Sequence, residues 1–130
     1  MTACNRGAQR PIIDPMSNDP PLEELVRRLL AFRDARDWHK FHSAKNLAMS
    51  VSIEAGELLE VFQWTNEGQS LSPDDLANAR DEAADVLIYL LLLCDKLGID
   101  LAASTANKIE RNETRFPPLR GSSEPMDTRE

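Results

Sequence analysis

Four acidic residues fall where helices should be apolar. Glu54-x-x-Glu57 and Glu82-x-x-Asp85 each set two carboxylates one turn apart, hence on one helix face. With Leu47 at zero and 100° per residue, Leu58, Val51, Phe62 and Val61 define an apolar arc. Glu54 falls inside it at about −20° and Glu57 on its shoulder at about −80°, whereas Glu60 lies at about −140°, on the solvent side. In the next helix Glu82 shares an arc with Val86, Tyr89 and Leu93; Asp85 lies about 60° away and Asp81 further out. Unpaired charge on a core face is costly, and carboxylates facing one another are driven to protonate. A divalent cation removes the conflict, because Mg²⁺ takes carboxylate, water and phosphate oxygens at about 2.0–2.1 Å. Glu54, Glu57, Glu82 and Asp85 are therefore the candidate metal ligands. One such pair is ordinarily a solvated helix face; two, inside the apolar arcs of consecutive helices, are not explained that way. Helical di-iron sites need two Glu-x-x-His elements, and the sequence has none.

The elements that position these residues are helical. Leu22, Leu25, Val26, Leu29 and Phe32 recur at helical spacing and predict a helix over 22–37. A second is expected over 43–64, with Ser43 as N-cap and Gly68 beyond its end. The third opens on Ser72-Pro73-Asp74-Asp75, an N-cap, a proline at the first helical position and acids in the first turn. It continues to Leu97, with Gly98 as the residue that ends it. The fourth starts after Asp100 and stops near Phe116, before Pro117-Pro118. No stretch alternates like a strand, so the class is all-α, an antiparallel four-helix core. Residues 1–21 and 117–130 are polar and proline-rich and read as flexible tails around a helical domain spanning 22–116. Leu87, Leu91 and Leu92 fall outside the arc of the third helix and are expected to need burial elsewhere, against another copy.

The fourth helix carries the opposite charge. Lys108, Asn112 and Arg115 fall on one stripe, with Arg111 near it and Ile109 and Phe116 beside it. Such a stripe is either a solvated face with snorkelling stems or a grip on phosphate oxygens, to which Lys45 would add. Aromatics number seven in 130 residues, so their placement matters. Trp38, Phe41 and His42 cluster before the second helix and Trp64 follows it. They are either packing at helix ends or a stacking slot for a planar base. A base slot, a metal cluster and a basic stripe together suggest a nucleoside polyphosphate.

Charge and composition set the limits. The 130 residues are one domain's worth, and 15 basic against 22 acidic residues give a net charge of −7. That excludes the basic footprint of a nucleic-acid binder and argues against anionic membranes. The charge is also unevenly spread: between Asn46 and Asp95 there are ten acids and one base, Arg80, so this window carries −9 and the remainder +2. The longest apolar run, Val86 to Cys94, is nine residues, whereas a membrane span needs roughly 20. No secretory signal is visible, and Cys4 and Cys94 read as reduced thiols, which points to the cytoplasm.

Several motifs carry a resemblance. Arg36-Asp37-Trp38, Phe41-His42, Asn46-Leu47, Glu54-Ala55-Gly56-Glu57-Leu58, Phe62-Gln63-Trp64 and the run from Asp81 to Leu90 resemble the MazG-type nucleotide pyrophosphohydrolases, and within them the dCTP pyrophosphatases. The resemblance covers about residues 22–118. It implies Mg²⁺-dependent hydrolysis of a nucleoside triphosphate to the monophosphate and pyrophosphate, with Glu54, Glu57, Glu82 and Asp85 holding the metal. It offers Glu57 as a candidate proton acceptor and Lys108, Arg115 and Lys45 as partners of the phosphates. Trp38, His42, Trp64, Tyr89 and Asn112 match positions lining or bordering the nucleotide pocket. It also implies a homo-oligomer, dimer or tetramer, with pockets shared between subunits. One departure concerns the base: some dCTP-preferring relatives have a histidine in the first helix where this chain reads Arg27-Arg28-Leu29-Leu30. A pyrimidine deoxynucleotide, dCTP or a 5-modified form, is expected. The rivals are a relative acting on phosphoribosyl-ATP or damaged purine nucleotides, and a non-catalytic acidic helical adaptor.

Overall fold

The computed structural model describes residues 18–119. Four α-helices form: α1 (Leu22–Asp34), α2 (Ala44–Glu60), α3 (Pro73–Leu97) and α4 (Leu101–Arg115), with a short 3₁₀ turn at Trp38–Phe41. No strand occurs among the described residues. The expected tails lie mostly outside the described residues, as does Cys4.

Local chemistry accounts for most helix ends. The Ser43 hydroxyl accepts the Asn46 N–H at 3.1 Å, and Asn46 Nδ2 donates to the Phe41 carbonyl at 3.0 Å, tying the 3₁₀ turn to α2. At the head of α3, Ser72 accepts from the Asp75 N–H at 3.1 Å while its hydroxyl donates to Asp75 Oδ2 at 2.8 Å. Asp100 accepts the Ala103 N–H at 2.9 Å and starts α4. Gly98 closes α3 in the left-handed region, at φ 67°, with the Ile99 N–H reaching back to the Cys94 carbonyl.

Two ends fall short of expectation. α1 stops at Asp34 rather than Asp37. Its last amides turn to i−3 carbonyls, Arg36 to Arg33 and Asp37 to Asp34, and Asp37 itself takes φ 54°, a conformation that Asp tolerates better than most residues. α2 stops at Glu60 rather than Trp64: Phe62 and Gln63 bond to Leu59 and Glu60, and the Thr65 hydroxyl donates to the Phe62 carbonyl at 2.8 Å. Phe62 therefore leaves the expected arc and is exposed.

The core lies along the α2–α3 seam. Leu47 is 2% exposed, and Leu91, Leu92 and Cys94 are also buried. Leu47 and Leu92 share a wall of one cavity, and seven residues further along α2 Glu54 meets Asp85, seven residues earlier on α3. The two helices are therefore antiparallel, in one continuous register. The burial of Leu91 and Leu92 corrects the expectation that they await another copy. α3 is covered by α2 on one side and α1 on another, so its apolar surface is wider than one arc. Leu91 and Cys94 face Leu22 and Val26 of α1 across a groove completed by the first turn of α4. Beyond that turn α4 is exposed except at Asn112. The antiparallel packing thus holds for α2 and α3, while α4 does not lie along them.

Candidate functional site

α2 and α3 bring three of the four expected carboxylates together. One oxygen each from Glu54, Glu82 and Asp85 lies within 4.8 Å of the others. All three side chains are half-buried, whereas Glu57 and Glu60 are exposed. Glu57 is outside the group of three but adjoins it. Burial pushes the Glu54 carboxyl above the ordinary carboxylate range, and contact with Glu57, then Asp85 and Glu82, adds to this. Glu82 is raised likewise, first by burial and then by Glu57, Asp85 and Asp81.

These residues fit a divalent cation. Glu82 Oε2 is buried with no hydrogen-bond partner, a state that proteins seldom leave uncompensated. The donor set is all oxygen, which suits Mg²⁺ or a similar hard cation. No lysine or arginine forms an ion pair with any of the three carboxylates among the described residues.

The other expected residues are placed unevenly. Tyr89 follows Asp85 by one turn on α3 and is half-buried. His42 ends the 3₁₀ turn, half-buried, with Nδ1 sequestered and unpartnered. Trp38 opens that turn and packs edge-on against Phe32, ring centroids 5.7 Å apart. Lys45 is in the first turn of α2, roughly 13 Å of helix rise from Glu54, so the fold does not bring it to the acidic group. Trp64 is 86% exposed in the turn after α2. Lys108 and Arg115 are exposed on α4, the latter 5.1 Å from the Phe116 ring, and Asn112 is half-buried there. The expected grip of α4 on phosphates near the carboxylates is not assembled within one chain, because α4 diverges from the α2–α3 pair after its first turn.

A second feature lies about two helical turns, roughly 10 Å, from the carboxylates along the same seam. It is a cavity of about 460 Å³ lined by His42, Leu47 and Leu92 together with Arg33, Asp34, His39 and Lys96. Of these, only His42 was singled out as a pocket residue by its motif. Arg33 and Lys96 come from opposite ends of the sequence core, and the one available signal was that Lys96 follows Leu92 by one helical turn. Burial, then the nearby Arg33, His39 and Lys96, pushes the His42 pKa down, which favours the neutral imidazole.

Comparison with known proteins identifies relatives of this chain and of its fold. Residues 49–123 match the MazG-like family. Human and mouse proteins named dCTP pyrophosphatase 1 are 38% and 36% identical over 105 residues, 78% of this chain. The chain spans 62% of the length of these curated relatives. A crystal structure of a pyrophosphatase from Archaeoglobus fulgidus is 43% identical, superposes with a TM-score of 0.66, and is matched over 97% of its own chain and 78% of this one. The family match takes in most of α2, all of α3 and α4, and the three convergent carboxylates: the chain belongs to the MazG-like family.

Proposed function

We propose that the protein is a Mg²⁺-dependent nucleoside triphosphate pyrophosphohydrolase that releases the monophosphate and pyrophosphate, with dCTP or a 5-modified dCTP as substrate. The convergence of Glu54, Glu82 and Asp85, together with the buried and unpartnered Glu82 Oε2, carries this reading. Relatives named dCTP pyrophosphatase 1 support the substrate. Glu54, Glu82 and Asp85 would hold the metal, with Glu57 beside them as a fourth ligand. When bound, Mg²⁺ neutralises phosphate charge and lowers the pKa of bound water.

The remaining chemistry falls to the side chains. Water attacks the α-phosphorus, the bond from that phosphorus to the α–β bridging oxygen breaks, and pyrophosphate leaves with the electron pair. Glu57 is solvent-exposed and adjoins Glu54 and Glu82, so its carboxylate is positioned to accept the proton released by the water. The base is taken by the cavity beside His42, with Trp38 on the same 3₁₀ turn as a stacking face. The spacing of that cavity from the carboxylates is of the order of an extended nucleotide. Tyr89 lies between the two ends of the seam.

Lys45, Lys108, Asn112, Arg115 and Trp64 enter this reading through assembly. Met49, Ile53 and Leu59 on α2, Ile109 on α4 and Phe116 just after it are exposed, apolar surface that a dimer or tetramer would cover. A second copy would then present α4 cations and Trp64 to a pocket that lacks them. No helix among the described residues is long and apolar enough to cross a membrane, which is compatible with action in the cytoplasm.

A nucleotide panel with Mg²⁺ and with chelator, reading monophosphate and pyrophosphate, tests the proposal. Metal-dependent turnover with preference for dCTP or its 5-modified forms is expected. Preference for a purine nucleotide overturns the substrate; no turnover of any nucleotide overturns the activity.

A further inference from the structure

The cavity beside His42 is electrostatically unlike the acidic cluster on the same seam. Its floor, Leu47 and Leu92, is apolar and buried. The Arg33 guanidinium is spent on Asp34, with Nε and Nη2 both 2.8 Å from Oδ1. His39 Nδ1 stands 3.5 Å from Asp37 Oδ1. His42 lines the cavity half-buried, with its Nδ1 sequestered from solvent and unpartnered. Lys96 alone brings a full charge that no carboxylate answers among the described residues. Its neighbour Asp95 lines the separate groove between α1 and α4, and so faces away. The cavity therefore offers one surplus ammonium to whatever enters it.

An unmodified pyrimidine carries no charge at neutral pH and leaves the ammonium unanswered. We propose that Lys96 is a specificity residue that selects nucleotides whose pyrimidine bears an anionic substituent, a ring carboxylate, over the neutral or methylated base. A carboxylate at the cavity end accepts from Lys96 Nζ. This is a charge-assisted hydrogen bond, about twice as strong as a neutral one. The Arg33–Asp34 pair, already neutral, neither adds to this nor opposes it strongly. The inference rests on the base occupying this cavity, as proposed above.

The test separates binding from turnover. Quenching of Trp38 and Trp64 fluorescence is titrated in chelator with 5-carboxy-dCMP and with 5-methyl-dCMP; kcat/KM is measured for the two triphosphates with Mg²⁺. The carboxylated monophosphate is expected to bind about tenfold more tightly, equivalent to about 1.4 kcal/mol. The preference should weaken as salt is raised. Lys96→Met, which keeps the apolar stem, should bring the ratio close to one, and Lys96→Arg should restore most of it. Tighter binding of the methylated compound, or a ratio that Lys96→Met leaves unchanged, overturns the proposal. If triphosphates are cleaved without any Lys96-dependent preference, the hydrolase reading stands and this inference falls. If the preference is found without cleavage, the reverse holds.

Discussion

Leu47→Ala probes the register on which both ends of the seam depend. The substitution removes three carbon atoms from the most buried large side chain of α2. At about 0.8 kcal/mol per buried methylene, the lost transfer free energy alone is about 2.4 kcal/mol. A cavity contribution adds to it, but Leu47 already borders an open cavity of about 460 Å³. The new void merges with that space and can hydrate, so the total should lie in the lower part of the range for buried leucines, about 3 kcal/mol. For a domain of this size the melting temperature should then fall by roughly 12–24 °C. Urea and thermal melts measure both quantities, with Glu67→Ala, in the exposed turn, as a control expected within about 0.5 kcal/mol of the parent. Leu47 and Leu92 should couple in a double-mutant cycle by at least about 0.5 kcal/mol. A cost below about 1 kcal/mol, or strict additivity with Leu92→Ala, would refute the Leu47–Leu92 pairing. It would also remove the register that carries Glu54 onto Asp85.

Four further outcomes follow from the site and the helix ends. Glu54→Gln, Glu82→Gln and Asp85→Asn should each lower turnover more than about 100-fold, beyond the loss typical of outer-shell partners, while Glu60→Gln leaves it intact; steady-state kinetics on dCTP decide, and equal damage from Glu60→Gln would sink the facing argument. In chelator, the carboxyls of Glu54 and Glu82 are raised, so the folded chain retains protons that the unfolded chain has released. Stability is thus greater at pH values below the ordinary carboxylate range and is lost as pH rises through the folded values; melts at several pH values should show a slope that the Glu54→Gln, Glu82→Gln double variant lacks. With Mg²⁺ the parent should melt higher than in chelator and that double variant should not respond. Gly98→Ala forces a side chain into φ 67° and should cost about 1 kcal/mol by thermal melt.

What could be read from residues alone divides along the range of the interactions. Ser43, Ser72, Asp100 and Gly98 act on amides within a few positions of themselves, and each sits at the helix end expected for it. Glu54, Glu82 and Asp85 were legible because helical periodicity projects straight onto packing when two neighbouring helices pair. The misplaced ends have another cause: Asp37 and Thr65 stop α1 and α2 through turn geometry that hydrophobic spacing does not encode. Leu91 and Leu92 were misassigned because a single arc presumes a single neighbour, whereas α3 has α2 and α1. The cavity that joins Arg33 to Lys96 was invisible for the same reason, since it exists only where α1, the 3₁₀ turn, α2 and α3 meet. Charge shows the consequence. The acids of α2 and α3 converge within one chain, while Lys108 and Arg115 leave on a helix that does not fold back over them. An acidic centre without local cations repels a phosphate chain until a divalent ion, or the α4 of another copy, supplies the missing positive charge. The proposed metal dependence and the proposed assembly would therefore be two answers to the same imbalance, and chelator should weaken triphosphate binding far more than it weakens binding of the uncharged nucleoside.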